Sequence, residues 1–211
     1  MAANFMRLST LIRLALLAAV VSSASGQFHL GPKPRQPSPT PPPMRKASDL
    51  IRKQEPSKVN QSLLKQATQD NTRIVVSIPK QRAYLMIGDQ IVADGPVSSG
   101  RRGHTTPNGH FAVMEKDPNH HSSLYGDFVD SSGRTVRAGV SARSDSAPSG
   151  THFAGAAMKW FLRLTGEGVG MHIGILPGYP ASHGCIRESV DGAKLFYDHA
   201  KVGTPIDVGD F

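Results

Sequence analysis

From residue 72 onward, apolar and polar positions alternate in short runs bounded by turn residues. Arg73-Ile74-Val75-Val76-Ser77-Ile78 predicts a strand, and Arg82-Ala83-Tyr84-Leu85-Met86-Ile87 predicts the next, with Pro79-Lys80-Gln81 between them. Gly88-Asp89 turns the chain into residues 90–93 and then 95–99, and residues 109–114 read as a further strand. Short strands separated by Gly, Asp and Pro indicate a mainly antiparallel β architecture. A helical period is expected over residues 156–164, carried by Met158, Trp160 and Phe161. Ser189 is a good N-cap for a second helix whose apolar positions are Ala193, Leu195, Phe196 and Ala200, with Gly203 ending it. Residues 204–208 return as a last strand. The expectation is a mainly β domain over residues 72–211 with one or two short helices, of ordinary single-domain length.

The chain before residue 72 has a different character. Residues 47–71 carry Leu50, Ile51, Val59, Leu63 and Leu64 in a mildly helical pattern, interrupted by Pro56. They read as a short helical or disordered arm, with docking of either piece on the main domain as the alternative to disorder. Residues 27–46 hold seven prolines between Pro32 and Pro43 among Lys, Arg, Gln, Ser and Thr, a composition that favours extended polyproline and builds no core. Residues 1–26 read as a secretory signal: Arg7 and Arg13 without an acid, the apolar run from Leu14 to Val21, and Ala24-Ser25-Gly26 before a cleavage point. That run is shorter than the ~20 apolar residues a membrane span needs. The protein is therefore expected to be exported to the periplasm or cell envelope. An uncleaved N-terminal anchor is the alternative, if the run extends back through Leu11 and Ile12.

Charge sharpens this division. Of the net +8, residues 27–71 contribute +5 and residues 72–211 only +1. The folded part is close to neutral, which argues against a nucleic-acid surface. The basic arm is suited either to anionic envelope polymer and lipid head groups or to no partner at all.

Candidate chemistry gathers at Ser182-His183-Gly184-Cys185-Ile186-Arg187, with His172 ten residues before Ser182. Cys185 is the only cysteine. A thiol attacks as its thiolate, so a nucleophilic cysteine needs a base and nearby positive charge. Gly184 leaves the backbone free for positive φ, and neighbouring amides can serve a developing oxyanion. Two other readings stand beside this one. A single cysteine is often a small buried hydrophobe. Zinc could be held by His172, His183 and Cys185, although structural zinc takes four ligands with paired spacing and no HExxH is present.

Gly170-Met171-His172-Ile173-Gly174, followed by Leu176-Pro177-Gly178-Tyr179-Pro180-Ala181 and the Ser182 to Arg187 block, resembles the active-site signature of the L,D-transpeptidase family, the YkuD-type catalytic domain. Val97-Ser98-Ser99-Gly100, Thr105-Thr106-Pro107-Asn108-Gly109-His110-Phe111 and His121-Ser122-Ser123-Leu124-Tyr125-Gly126 are similar to further blocks of that family. The resemblance implies a β-sandwich-like domain of mixed sheets, acting as a monomer on peptidoglycan stem peptides as donor and acceptor, with no metal, no organic cofactor and no nucleic acid. It implies acyl transfer through a thioester on Cys185, giving 3→3 cross-links. Hydrolysis of stems by an L,D-carboxypeptidase or endopeptidase, or attachment of a protein to peptidoglycan, would use the same site. His172 would be the general base, oriented by a carbonyl near Ile173 or Gly174, and His183 would shape the cleft or touch the thiolate. Gly184, Arg187 and Ser182 would serve the oxyanion and the substrate. Glu188 and Ile173 depart from the residue types usual in the family, and Glu188 is expected at the cleft edge.

Overall fold

A computed structural model describes residues 56–211. The expected signal segment, the Pro-rich linker and residues 47–55 of the arm lie outside the described residues. The elements run β1 (Lys58–Val59), α1 (Gln61–Leu64), β2 (Thr72–Ser77), β3 (Arg82–Ile87), β4 (Gln90–Ser98), β5 (Gly109–Ala112), β6 (Glu115–Asp117), β7 (His121–Asp130), β8 (Thr135–Ser141), β9 (Thr151–Ala157), β10 (Phe161–Arg163), β11 (Gly170–Ile173), β12 (Ile186–Glu188), α2 (Val190–His199) and β13 (Pro205–Gly209).

Alternation along the strands builds the core. On β2, Ile74 and Val76 are fully buried; across the antiparallel register Ile74 faces Leu85 and Val76 faces Ala83. On the other side β13 pairs parallel with β2 and adds Ile206 and Val208 to the same layer. Ala193 and Phe196 of α2 and Ala200 just after it are buried, and Phe196 and Ala200 belong to the core cluster. Ser189 caps that helix by accepting the Gly192 N–H at 3.2 Å. These strands belong to a ten-stranded mixed sheet ordered β5-β13-β2-β3-β4-β12-β11-β10-β6, with β1 paired to β4. β4 is its spine: residues 90–96 pair with β3, while Val97 and Ser98 pair with Glu188 and Arg187 of β12. A separate three-stranded sheet, β8-β7-β9, encloses Phe128, Val129 and Val140. The mainly β, mixed-sheet expectation holds, with two short helices among the described residues.

Two local expectations need correction. Residues 156–164 are not helical. Ala156 and Ala157 end β9, Trp160 takes φ +57°, and Phe161–Arg163 form β10. Phe161 and Leu162 are adjacent and both fully buried, in a strand bonded on one edge to β11 and on the other to β6. A short apolar run buried on both faces has no period of its own to separate helix from strand. The second correction concerns the arm. Lys58 and Val59 pair with Asp94 and Ala93, Asn60 Oδ1 accepts the Ser62 and Leu63 N–H groups, and Leu63 and Leu64 pack on the core. The domain thus begins before residue 72: Lys58 and Val59 join its main sheet, and α1 packs on its core.

Candidate active site

β11 and β12 run parallel and in register, Met171 opposite Ile186, His172 opposite Arg187 and Ile173 opposite Glu188. Side chains alternate across a strand, so this pairing sorts the motif onto two faces. Met171, Ile186 and Glu188 face the core and are almost wholly buried. His172 and Arg187 share the opposite face. Cys185, immediately before β12 and two residues from Arg187, is half-buried.

The turn that presents the thiol is built by Ser182 and Gly184. Ser182 is 2% exposed. Its hydroxyl donates to the Cys185 carbonyl and accepts the Gly184 N–H at 3.1 Å. Gly184 takes φ +120°, a region side-chain-bearing residues rarely enter. A second loop locks onto this turn. Thr106 Oγ1 accepts the Gly100 N–H at 2.8 Å and donates to the Gly184 carbonyl at 2.7 Å. The Arg101 N–H donates to the Ser182 carbonyl at 3.1 Å. The expected substrate contact of Ser182 is corrected accordingly: its hydroxyl is spent inside the turn. The Gly184 N–H, expected to serve an oxyanion, is held by Ser182.

His172 is buried, and its Nδ1 lies 2.7 Å from the Ile173 carbonyl oxygen. A carbonyl only accepts, so Nδ1 carries the proton and Nε2 presents its lone pair. Burial pushes the His172 pKa down to about 4, with the Ile173 bond opposing and the charges of Arg187 and His120 adding to the drop. Cys185 Sγ lies 3.7 Å from the Gly168 carbonyl oxygen. Burial raises its pKa, against the lowering effects of the Gly170 N–H and of Arg187 and Arg163. Near neutral pH the resting groups are therefore a neutral thiol and a neutral imidazole.

His183 is exposed. Its ring stacks on Tyr125 of β7 at 4.3 Å between centroids and meets the edge of His104 at 5.0 Å. The stem of Arg187 lies over Gly174, where a Cβ would come within 2.6–2.8 Å of three Arg187 carbons. Glu188, expected at the cleft edge, is instead 1% exposed on the core side, and neither carboxylate oxygen has a hydrogen-bond partner among the described residues. Burial raises its pKa to about 8.

Among the described residues, the ligand atoms that converge within 4.8 Å of one another belong to Glu115, Asp117 and His120, not to His172, His183 and Cys185. Glu115 is already bonded by Arg163 at 2.5 Å and Asp117 by His120 at 3.2 Å.

Arg101, His104 and Tyr125 were not singled out as site residues by the motif. Arg101-Arg102-Gly103-His104, a basic run just before the Thr105-Thr106-Pro107 block, was the visible signal for two of them.

The model of the YkuD family, the L,D-transpeptidase catalytic domain, matches residues 71–208. The chain belongs to the YkuD family. Solved structures with similar folds include an L,D-transpeptidase from Mycobacterium smegmatis, at 24% identity and TM-score 0.48, covering 65% of this chain and 58% of that one. Another is an L,D-transpeptidase from Xylanimonas cellulosilytica, at 22% identity and TM-score 0.49, covering 65% and 60%. A third is L,D-transpeptidase 3 from Mycobacterium tuberculosis in complex with a faropenem-derived adduct, at 21% identity and TM-score 0.46, covering 66% and 60%. This YkuD chain spans less than two thirds of the length of each. No curated protein matches it.

Proposed function

We propose that this YkuD domain is an exported L,D-transpeptidase that uses Cys185 to move acyl groups between peptidoglycan stem peptides. The observation that carries this reading is the strand face shared by His172 and Arg187, with Cys185 two residues before Arg187 and the His172 ring fixed through Nδ1.

Cys185 Sγ attacks the carbonyl that joins the L-centre of the donor's third residue to D-alanine. His172 Nε2 takes the thiol proton as the C–S bond forms, then delivers it to the D-alanine nitrogen as the C–N bond breaks. D-alanine leaves and a thioester remains on Cys185. The amine of a neighbouring stem attacks that thioester, His172 takes the amine proton, and the thiol leaves with it, giving a 3→3 cross-link. The Cys185 amide serves the oxyanion, and Arg187 supplies positive charge beside it. A neutral resting thiol suits proton transfer concerted with attack.

The test is purified protein with disaccharide-tetrapeptides, followed by chromatography and mass spectrometry. Release of D-alanine with formation of dimers carrying 3→3 bonds is the expected outcome. Shortened monomers alone would assign the same thioester to hydrolysis instead.

A further inference from the structure

Arg187 and Arg101 approach the catalytic block from two elements, and neither has a carboxylate within ion-pair reach among the described residues. Arg187 is half-buried, with its stem pinned on Gly174. Taking a guanidinium partly out of water without an anion is unfavourable. Arg101 is held in place by its loop rather than by a charge. Its N–H donates to the Ser182 carbonyl at 3.1 Å, its carbonyl accepts the His104 N–H at 2.9 Å, and Gly100 bridges to Ser182. The His104 ring then braces that loop against His183. His183 is pushed towards its neutral form by burial first, then by Arg101, His104 and Arg187, and the Arg187 pKa falls through burial and then Arg101. Arg101 and Arg187 thus carry like charges that act on one another, and an anion between them would relieve that repulsion.

We propose that Arg101 and Arg187 form a receptor for the free carboxylate of the donor stem's terminal D-alanine, and that Arg101 is a specificity-determining residue for donors ending in that carboxylate. The proposal rests on the transpeptidase reading above and names the feature of the donor that the site reads. Reach supports it. The D-alanine carboxylate carbon lies about 4 Å of covalent path from the scissile carbonyl carbon, summing C–N, N–Cα and Cα–C bonds. Arg187 stands two residues beyond Cys185, a rise of about 6.6 Å along the strand. A side chain at that position covers the leaving group while the carbonyl rests on the sulfur. A planar fork binds a carboxylate through two parallel bonds, and a second arginine from the facing loop closes the receptor.

The test uses full-length protein with Cys185→Ala, which holds a stem without reacting, titrated by NMR with a synthetic tetrapeptide stem ending in D-alanine and with its C-terminal carboxamide. The acid is expected to bind roughly tenfold or more tightly than the amide, as one charge-assisted hydrogen bond gives. Adding Arg101→Gln should remove most of that preference, and Arg101→Lys should restore part of it, with thermal melts recorded for each. Equal binding of acid and amide by the Arg101 protein overturns the proposal. So does a loss from Arg101→Gln that is the same for both stems. Acid preference without any thioester on the wild-type protein would remove the transfer reading and keep the receptor; a thioester without acid preference would do the reverse.

Discussion

The Nδ1 atom of His172 lies 2.7 Å from the carbonyl oxygen of the next residue, Ile173. That one contact sets the tautomer, aims Nε2 away from the backbone, and uses a carbonyl where other Cys–His sites use a side chain to orient the base.

The first prediction follows from the burial of that ring. His172 acts as a base only when neutral, and burial holds its pKa down to about 4. Single-turnover acylation should stay flat as pH falls through 6.5 and be lost only near 4. At the other end the raised Cys185 pKa puts any further rise above the ordinary thiol range. His172→Ala should lose on the order of 10²-fold or more in acylation rate, as for a missing general base. Folding stability also falls as pH drops from 6.5 towards 4, because the unfolded chain takes up a proton that the folded one refuses, so melts must accompany the kinetics. A limb centred near 6.5 would remove His172 from the role of base.

Cys185→Ala should abolish acylation by stems and by carbapenems while leaving the melting temperature within a few degrees. Cys185→Ser should be nearly as inert, since a hydroxyl is far less acidic than a thiol. Intact-protein mass spectrometry should show one carbapenem adduct on the wild type and none on the Ala variant. An adduct on the Ala protein would place the nucleophile elsewhere.

Ser182→Ala and His183→Ala should separate in kind. Ser182 holds the thiol turn through its bonds to Cys185 and Gly184 in a buried position. Its loss should cost about 1–3 kcal/mol, the range for leaving buried polar groups unpaired, and slow acylation through misplaced sulfur. His183 is exposed and packs on Tyr125 and His104. His183→Ala should melt near the wild-type temperature and lose less acylation than His172→Ala. If His183→Ala is folded and inert while His172→Ala reacts rapidly, the two roles are exchanged.

How much of this was legible beforehand depends on the range of the forces involved. Residues 82–87 alternate cleanly, and the strand Arg82–Ile87 has the expected bounds. Ser189 was readable as a cap because capping is local. Met158, Trp160 and Phe161 imitate a helical period, but their backbone follows pairing with distant strands and a positive φ at Trp160. His104, Tyr125 and His183 meet because two loops and β7 come together from distant parts of the chain, and no sequence spacing encodes that. Glu188 was read as a cleft residue because it adjoins Arg187, whereas adjacency in a strand means opposite faces.

The last prediction concerns Glu188, which sits on the core face of β12 with both carboxylate oxygens unpartnered among the described residues. Burial lifts its folded pKa from 4.5 to about 8, so near neutral pH the buried side chain is the uncharged acid. The sign of the linkage follows. Below pH 4.5 both folded and unfolded chains hold the proton and no penalty arises. Between 4.5 and about 8 the unfolded chain releases it and the folded chain does not, so stability falls steadily, and above about 8 the full cost is present. That cost is on the order of a few kcal/mol, and a domain of this size shifts its melting temperature by roughly 2–4 °C per kcal/mol. Glu188→Gln removes the titration and keeps the shape. Its melting temperature should match the wild type near pH 4.5 and exceed it by roughly 5 °C or more at pH 8. Glu188→Met, apolar and of similar length, should be at least as stable as Gln across the range. Parallel curves of melting temperature against pH for wild type and Glu188→Gln would show that the carboxyl does not titrate in this window, and that the buried face of β12 has found it a partner.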